Sequence, residues 1–334
     1  MKRFCFLLVF LLFLLGCKIK VTPPACYYKA KEAFENKDYE LVIDLLEDAK
    51  IPVSQKTDWY YYFYGTSLYR ISKAQTRKAI DNLKIAITFH DEVFEYYFNI
   101  AQMYFDIADY EHAHAFFEKA ATLYKDSNKT EPYNVYLWIA LTLCKQNLFN
   151  VSEFAKVYPI DESLYLKDFC TQISANSFSE QYIDNISNAE NLTVDEKILI
   201  IDALFNRVSG GKEICKRMIE QNIDDNLIKF FYSKLVYYSL DNLELCKTLF
   251  QNTSSEIIED VFILNCNNLT VLQFYNKYLC FYLYKKGDVA NAVNALFAYQ
   301  VAKYKPLNYS HTASDDNRLI LNEFKDDEEF DRIK

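Results

Sequence analysis

The chain has 334 residues, a formal net charge of −9, and 51% apolar residues that include 28 Tyr and 26 Phe. That acidity argues against a nucleic-acid groove, and that apolar content excludes disorder over most of the length. Five glycines and six prolines are too few for a β-rich or α/β design, whose turns and phosphate loops consume both. This leaves an all-α chain, long enough for two ordinary domains or one elongated solenoid.

In chain order, Lys2 and Arg3 precede twelve apolar residues, Phe4 to Leu15, and then Gly16-Cys17. The run is short for a bilayer span and reads as a secretory signal. Leu14-Leu15-Gly16-Cys17 resembles the lipobox of bacterial lipoproteins. The resemblance implies a signal peptide over 1–16, removal of Lys2 and Arg3 to give a net charge of −11, and a lipidated Cys17 as the first mature residue. The alternatives are an ordinary cleaved signal with an incidental cysteine and an uncleaved anchor. Several acyl chains, at about 0.8 kcal/mol per buried CH2, anchor far more firmly than one. Lys18 stands where the best-known sorting rule places Asp for inner-membrane retention, which points to the outer membrane. Residues 17–25 then form a short tether stiffened by Pro23-Pro24.

Helix pairs follow. The first runs from about Cys26 to Lys50, with Ala30 small at the crossing and Asn36-Lys37-Asp38 as the turn. The second runs from about Asp58 to His90 around Gly65, with Ala79 and Leu83 on its second helix. The third, Tyr97 to Lys125, carries Tyr97, Ile100, Ala101 and Tyr104, then Ala113, Phe117 and Ala120. This resembles the tetratricopeptide (TPR) repeat, and the crossing residues Ala30, Gly65 and Ala101 are spaced by 35 and 36, close to its 34. The resemblance implies a right-handed α-α superhelix of about seven to eight helix pairs, with a TPR array over 26–160.

The pattern then decays. A fourth pair, about Tyr133 to Tyr158, has an atypical second helix. Over 161–305 the repeats are divergent and degenerate, placing Cys170, Ala203, Lys234 and Cys280 at successive crossings, where Lys234 fits poorly. An extra helix is expected over Ser255 to Cys266. Cys215 and Cys246 take small positions on second helices, so the cysteines read as small buried apolar residues, with structural disulfides or a redox site as the alternatives. Residues 306–334 form a polar, acidic cap or tail: 317–324 reads as a short capping helix and Asp326-Asp327-Glu328-Glu329 as a solvated tail in preference to a docking site.

No catalytic motif, metal set or cofactor is expected. Gly210-Gly211-Lys212 lacks P-loop spacing, and His112 and His114 project about 200° apart on a helix, too far to share a metal. A cluster of buried acids with perturbed pKa in one pocket would point instead to an enzyme. What remains is a surface. In TPR arrays the first helices line the concave groove, and the register places Tyr27, Lys31, Phe34, Trp59, Tyr62, Thr66, Tyr69, Arg70, Phe98, Gln102, Phe105 and Asp106 there. The chaperone-tail TPR proteins have Lys and Asn where this chain has Tyr62 and Thr66, or Phe98 and Gln102, so their two-carboxylate clamp is absent. Two readings of the aromatics stand. They are anchors for a segment of another protein, or they pack between neighbouring first helices. The resemblance as a whole implies a tethered scaffold in the bacterial cell envelope, periplasmic or on the surface. A component of outer-membrane β-barrel assembly and a transporter-associated ligand-binding lipoprotein are the alternatives.

Overall fold

The computed structural model describes residues 24–71, 75–126, 134–160, 164–175, 179–205, 210–221, 223–253, 269–303, 318–325 and 327–333. Among them are eighteen α-helices and no strand. Sixteen form eight consecutive pairs: α1 (Ala25–Glu35) and α2 (Tyr39–Asp48); α3 (Asp58–Ile71) and α4 (Thr76–Phe89); α5 (Phe94–Asp106) and α6 (Tyr110–Asp126); α7 (Val135–Lys145) and α8 (Val151–Val157). The second half continues with α9 (Leu164–Ala175) and α10 (Glu180–Ser187); α11 (Val194–Phe205) and α12 (Gly211–Ile219); α13 (Asp225–Tyr237) and α14 (Leu243–Thr253); α15 (Leu269–Lys286) and α16 (Val289–Lys303). Two short helices close the chain, α17 (Arg318–Glu323) and α18 (Glu328–Asp331). The architecture is an α-α helical solenoid. The lipobox-like Cys17 and the helix expected over 255–266 lie outside the described residues. No helix among those described is long and apolar enough to cross a membrane.

Four of the pairs share one turn chemistry. Lys37, Ala108, Asn147 and Gly287 adopt left-handed φ of 61°, 59°, 58° and 84°. In each, the next residue donates its amide back across the turn, Asp38 to Ala33, Asp109 to Tyr104, Leu148 to Leu143 and Asp288 to Leu283, all at 2.9 Å. These bonds satisfy carbonyls orphaned at the helix end. At three of the turns an aspartate then caps the next helix: Asp38 accepts from Leu41 N, Asp109 from His112 N, and Asp288 from Asn291 N.

The first helices stack on one another, α1 on α3, α3 on α5, α7 on α9, α9 on α11, α11 on α13 and α13 on α15, and α7 also reaches past α9 to α11. Central ones such as α5 and α7 are buried around most of their girth, whereas α2 and α4 bury a single stripe. First helices therefore form the inner layer and second helices the outer. The small crossing residues are where the spacing puts them: Ala30, Ala101 and Ala140 are fully buried, and a Cβ on Gly65 would lie 2.5 Å from Leu83 Cδ1. One core runs from Tyr69 to Phe330, and a smaller one joins α1, α2 and the start of α3. The divergent half thus stacks directly on the first.

Two expectations need correcting. Ala203, assigned to a crossing, is only half-buried and faces the interior cavity, because α11 turns toward it the face that carries Asp195, Leu199 and Asp202. Two members of the acidic run, Asp327 and Glu329, are not part of a solvated tail: Asp327 pairs with Lys277, Glu329 is 7% exposed, and Phe330 after them is fully buried against α15. The expected capping helix does form, as α17.

Candidate functional site

The inner helices surround a cavity of about 910 Å³. Its walls come from Tyr69 and Arg70 on α3, Gln102, Phe105 and Asp106 on α5, Trp138 and Lys145 on α7, Asp195, Leu199 and Asp202 on α11, and Thr270, Gln273 and Lys277 on α15. Glu323, Asp327, Glu329 and Arg332 of the C-terminal segment close it.

Local sequence sets α11 in place. Thr193 caps it and Glu196 answers, with Glu196 N to Thr193 Oγ1 at 3.2 Å and Thr193 N to Glu196 Oε2 at 2.9 Å, a reciprocal capping box. The other oxygen of Glu196 accepts the Trp138 indole N–H at 3.0 Å, which ties α7 to α11. Two turns on, Asp202 faces Lys145 of α7 at 3.2 Å and Lys234 of α13 at 2.6 Å.

From Lys234 a chain of charges runs to the C-terminus. Lys234 is fully buried and contacts Glu329 Oε1 at 2.8 Å. Lys277 meets Glu329 Oε2 at 2.6 Å and Asp327 Oδ2 at 2.8 Å, and the Tyr278 hydroxyl donates to Glu329 at 2.9 Å. Three lysines thus oppose three carboxylates in the interior. Burial opposes the charge on Lys234, but Asp202 and Glu329 outweigh it and hold its pKa above the ordinary lysine value. Burial likewise works against Glu329, yet Lys234 and Lys277 prevail and keep it well below the usual carboxylate range. Asp202 is lowered by Lys234 and Lys145 in the same way, against its burial. Burial drives the Tyr278 phenol upward, as do the carboxylates beside it, so it stays protonated and donates.

The cavity thus holds two buried acids with perturbed pKa, the feature named above as pointing to an enzyme, and both shifts are downward. General acid catalysis near neutral pH needs a carboxyl raised by its surroundings, and a useful base needs a pKa near the working range. Here both shifted acids are instead held ionised by lysine, as in a network of ion pairs. Among the described residues no group of three or more His, Cys, Asp or Glu is arranged to hold a metal ion.

The groove positions read from the sequence separate into three sets. Tyr69, Arg70, Gln102, Phe105 and Asp106 line the cavity, and the Tyr69 hydroxyl donates to Asp106. Tyr27, Phe34, Trp59 and Tyr62 pack in the N-terminal cluster, with Tyr27 4.9 Å from Trp59 and Phe34 4.8 Å from Phe63 between ring centres. Lys31 is exposed beside Glu35, while Thr66 and Phe98 are buried, Phe98 against Phe94 and Phe117. Sequence reasoning missed Lys145, Asp202, Lys234, Lys277, Asp327, Glu329 and Arg332. One signal was available: a lysine in the small, apolar position of a first helix demands a buried carboxylate partner.

No family model matches the chain, and no curated protein matches it in sequence.

Proposed function

We propose that the chain is a lipid-tethered, TPR-like adaptor that holds a helical or extended segment of another cell-envelope protein on its concave inner face. The supporting observation is that this face already holds such a segment. The inner helices α13 and α15 grip the chain's own α18 through a buried carboxylate and a packed aromatic ring. A surface with that shape and charge suits other segments of the same kind. Arg70, Gln102 and Asp106, which line the same cavity, set orientation. The tether through Cys17 holds the array at the bilayer, on the outer membrane in the reading given above.

The test is cross-linking mass spectrometry on the natively expressed, membrane-bound protein with photo-reactive groups at Arg70 and Gln102, beside a Cys17→Ser control. Expected is one envelope protein linked to the inner face, lost or displaced in the control. A protein that is soluble and unlipidated in both removes the tether, and links confined to outer helices remove the groove.

The cavity size favours a second reading, delivery of a small polar ligand, since 910 Å³ lies within the range of small-molecule sites. Native mass spectrometry of the purified protein separates the two, because a retained small mass belongs only to the second.

A further inference from the structure

We infer that the partner segment carries the chain's own C-terminal signature, two carboxylates and an aromatic ring opening a helical turn, and that residues 318–333 hold this place in cis until such a segment displaces them. This rests on the adaptor reading and names the chemistry its groove selects.

Each anchor of the segment is read by a group on the inner wall. Asp327 caps α18, accepting from Glu329 N at 3.0 Å and Phe330 N at 3.1 Å, while its other oxygen meets Lys277. Glu329 offers one oxygen to Lys234 and the other to Lys277, and Tyr278 donates to both. Phe330 lies 5.2 Å from Phe281 and 5.3 Å from Tyr284, ring centre to ring centre. Spacing is part of the readout, because only a carboxylate two residues after the capping aspartate, followed at once by an aromatic, satisfies all three.

Two properties make the place exchangeable and selective. Helices of six and four residues are far below the length at which a helix is stable by itself, so the segment is held by its side chains, these three anchors together with the buried Ile320 and Phe324. The ion pairs of Lys277 both come from the segment, and its side chain is 13% exposed. Departure without replacement strands that ammonium in a poorly solvated wall. Exchange for another acidic segment leaves it paired throughout. The wall therefore resists emptying and permits substitution, and it rejects a segment that lacks the carboxylates.

The experiment uses a fluorescein-labelled peptide with the sequence of residues 318–334 and the full-length protein. Anisotropy titrations compare the wild type with the full-length Phe324→Ala/Phe330→Ala variant, in which the cis segment is loosened and the wall untouched. Expected is at least tenfold tighter binding to the variant, lost when the peptide carries Asp327→Asn and Glu329→Gln, or when the variant also carries Lys277→Met. Equal affinity for variant and wild type overturns the inference when hydrogen exchange shows 318–333 released, as does equal binding of the neutralised peptide. If the variant does not fold, the same peptide in excess over the wild type must accelerate exchange in 318–333, and its failure to do so overturns the inference. Failed competition beside intact cross-links at Arg70 and Gln102 removes this inference and leaves the adaptor reading; competition with no cross-linked partner supports the exchange chemistry and removes the adaptor.

Discussion

Lys234→Met isolates what the buried charges contribute. Methionine nearly matches the lysine stem in length, and the surrounding rings of Phe205, Phe274 and Tyr278, 5.4 to 5.9 Å from the ammonium, accept its thioether. The change removes one cation from between two carboxylates at 2.6 and 2.8 Å. Breaking a buried pair from one side costs about 3–5 kcal/mol, because a carboxylate is left undercompensated. Asp202 keeps Lys145 and Glu329 keeps Lys277, so the loss should fall near about 3 kcal/mol, against the roughly 5–15 kcal/mol that holds a typical fold. Adding Glu329→Gln to Lys234→Met should recover part of it, since the orphaned charge goes with the change.

The sign with pH distinguishes charge from packing. Glu329 and Asp202 have depressed folded pKa values, so their contribution is fully present above the unfolded values near 4 and is lost as pH falls below them. Lys234 and Lys277 are raised, so theirs is fully present below about pH 10 and is lost only above it. The gap between wild type and Lys234→Met should therefore be level from about pH 5 to 9 and narrow below about 4. Urea melts followed by circular dichroism read the gap. Hydrogen exchange reads where it acts: faster in α13 and α18, unchanged in α1 to α4, as expected where repeats couple chiefly to neighbours. A gap under about 1 kcal/mol at pH 7 refutes the reasoning, and so does one that stays the same at acid pH.

Three further outcomes follow from the same geometry. Ala108→Gly should raise stability by about 0.5–1 kcal/mol, since Ala108 holds a left-handed φ of 59°; Gly287→Ala should lower it similarly, both read as melting temperature. Gly65→Ala should cost about 1–3 kcal/mol, because its Cβ meets Leu83 Cδ1 at 2.5 Å, Asn82 Cβ at 2.9 Å and the Ala79 carbonyl at 3.0 Å, and a denaturation midpoint unchanged from wild type contradicts this. Burial pushes the Cys170 and Cys246 thiols up to about 11 and those of Cys215 and Cys280 higher still. In native protein at pH 8 these four should resist alkylation while half-buried Cys26 and Cys144 react, with all six reacting in denaturant.

The fold was legible where its cause is local. A small residue at the early crossings, a large one a turn away, and an aspartate after three of the four tight turns are written into about thirty-five residues at a time. Ala30, Gly65 and Ala101 could therefore be placed by counting. The decay after Tyr158 did not hide the helices, because their apolar periodicity survived, and Cys170, Cys215, Cys246 and Cys280 are all buried as that register requires. Register failed at Ala203, where the neighbouring Asp202 carries a role that no repeat pattern encodes.

The cavity's charges were illegible for a physical reason. Lys234 and Glu329 stand 95 positions apart, and an ion pair between distant helices leaves no periodic trace, since each member looks locally like an error. Lys234 read as a poor fit and Glu329 as part of a solvated run, yet each is the reason for the other. A lysine at a buried crossing is too costly to persist alone, so its presence predicts a carboxylate within reach. The acidic C-terminus, otherwise assigned to solvent, was the segment with carboxylates to spare. The two anomalies are a demand and part of its supply, with Asp202 as the other carboxylate on Lys234. The same pairing names what another segment must carry to take its place.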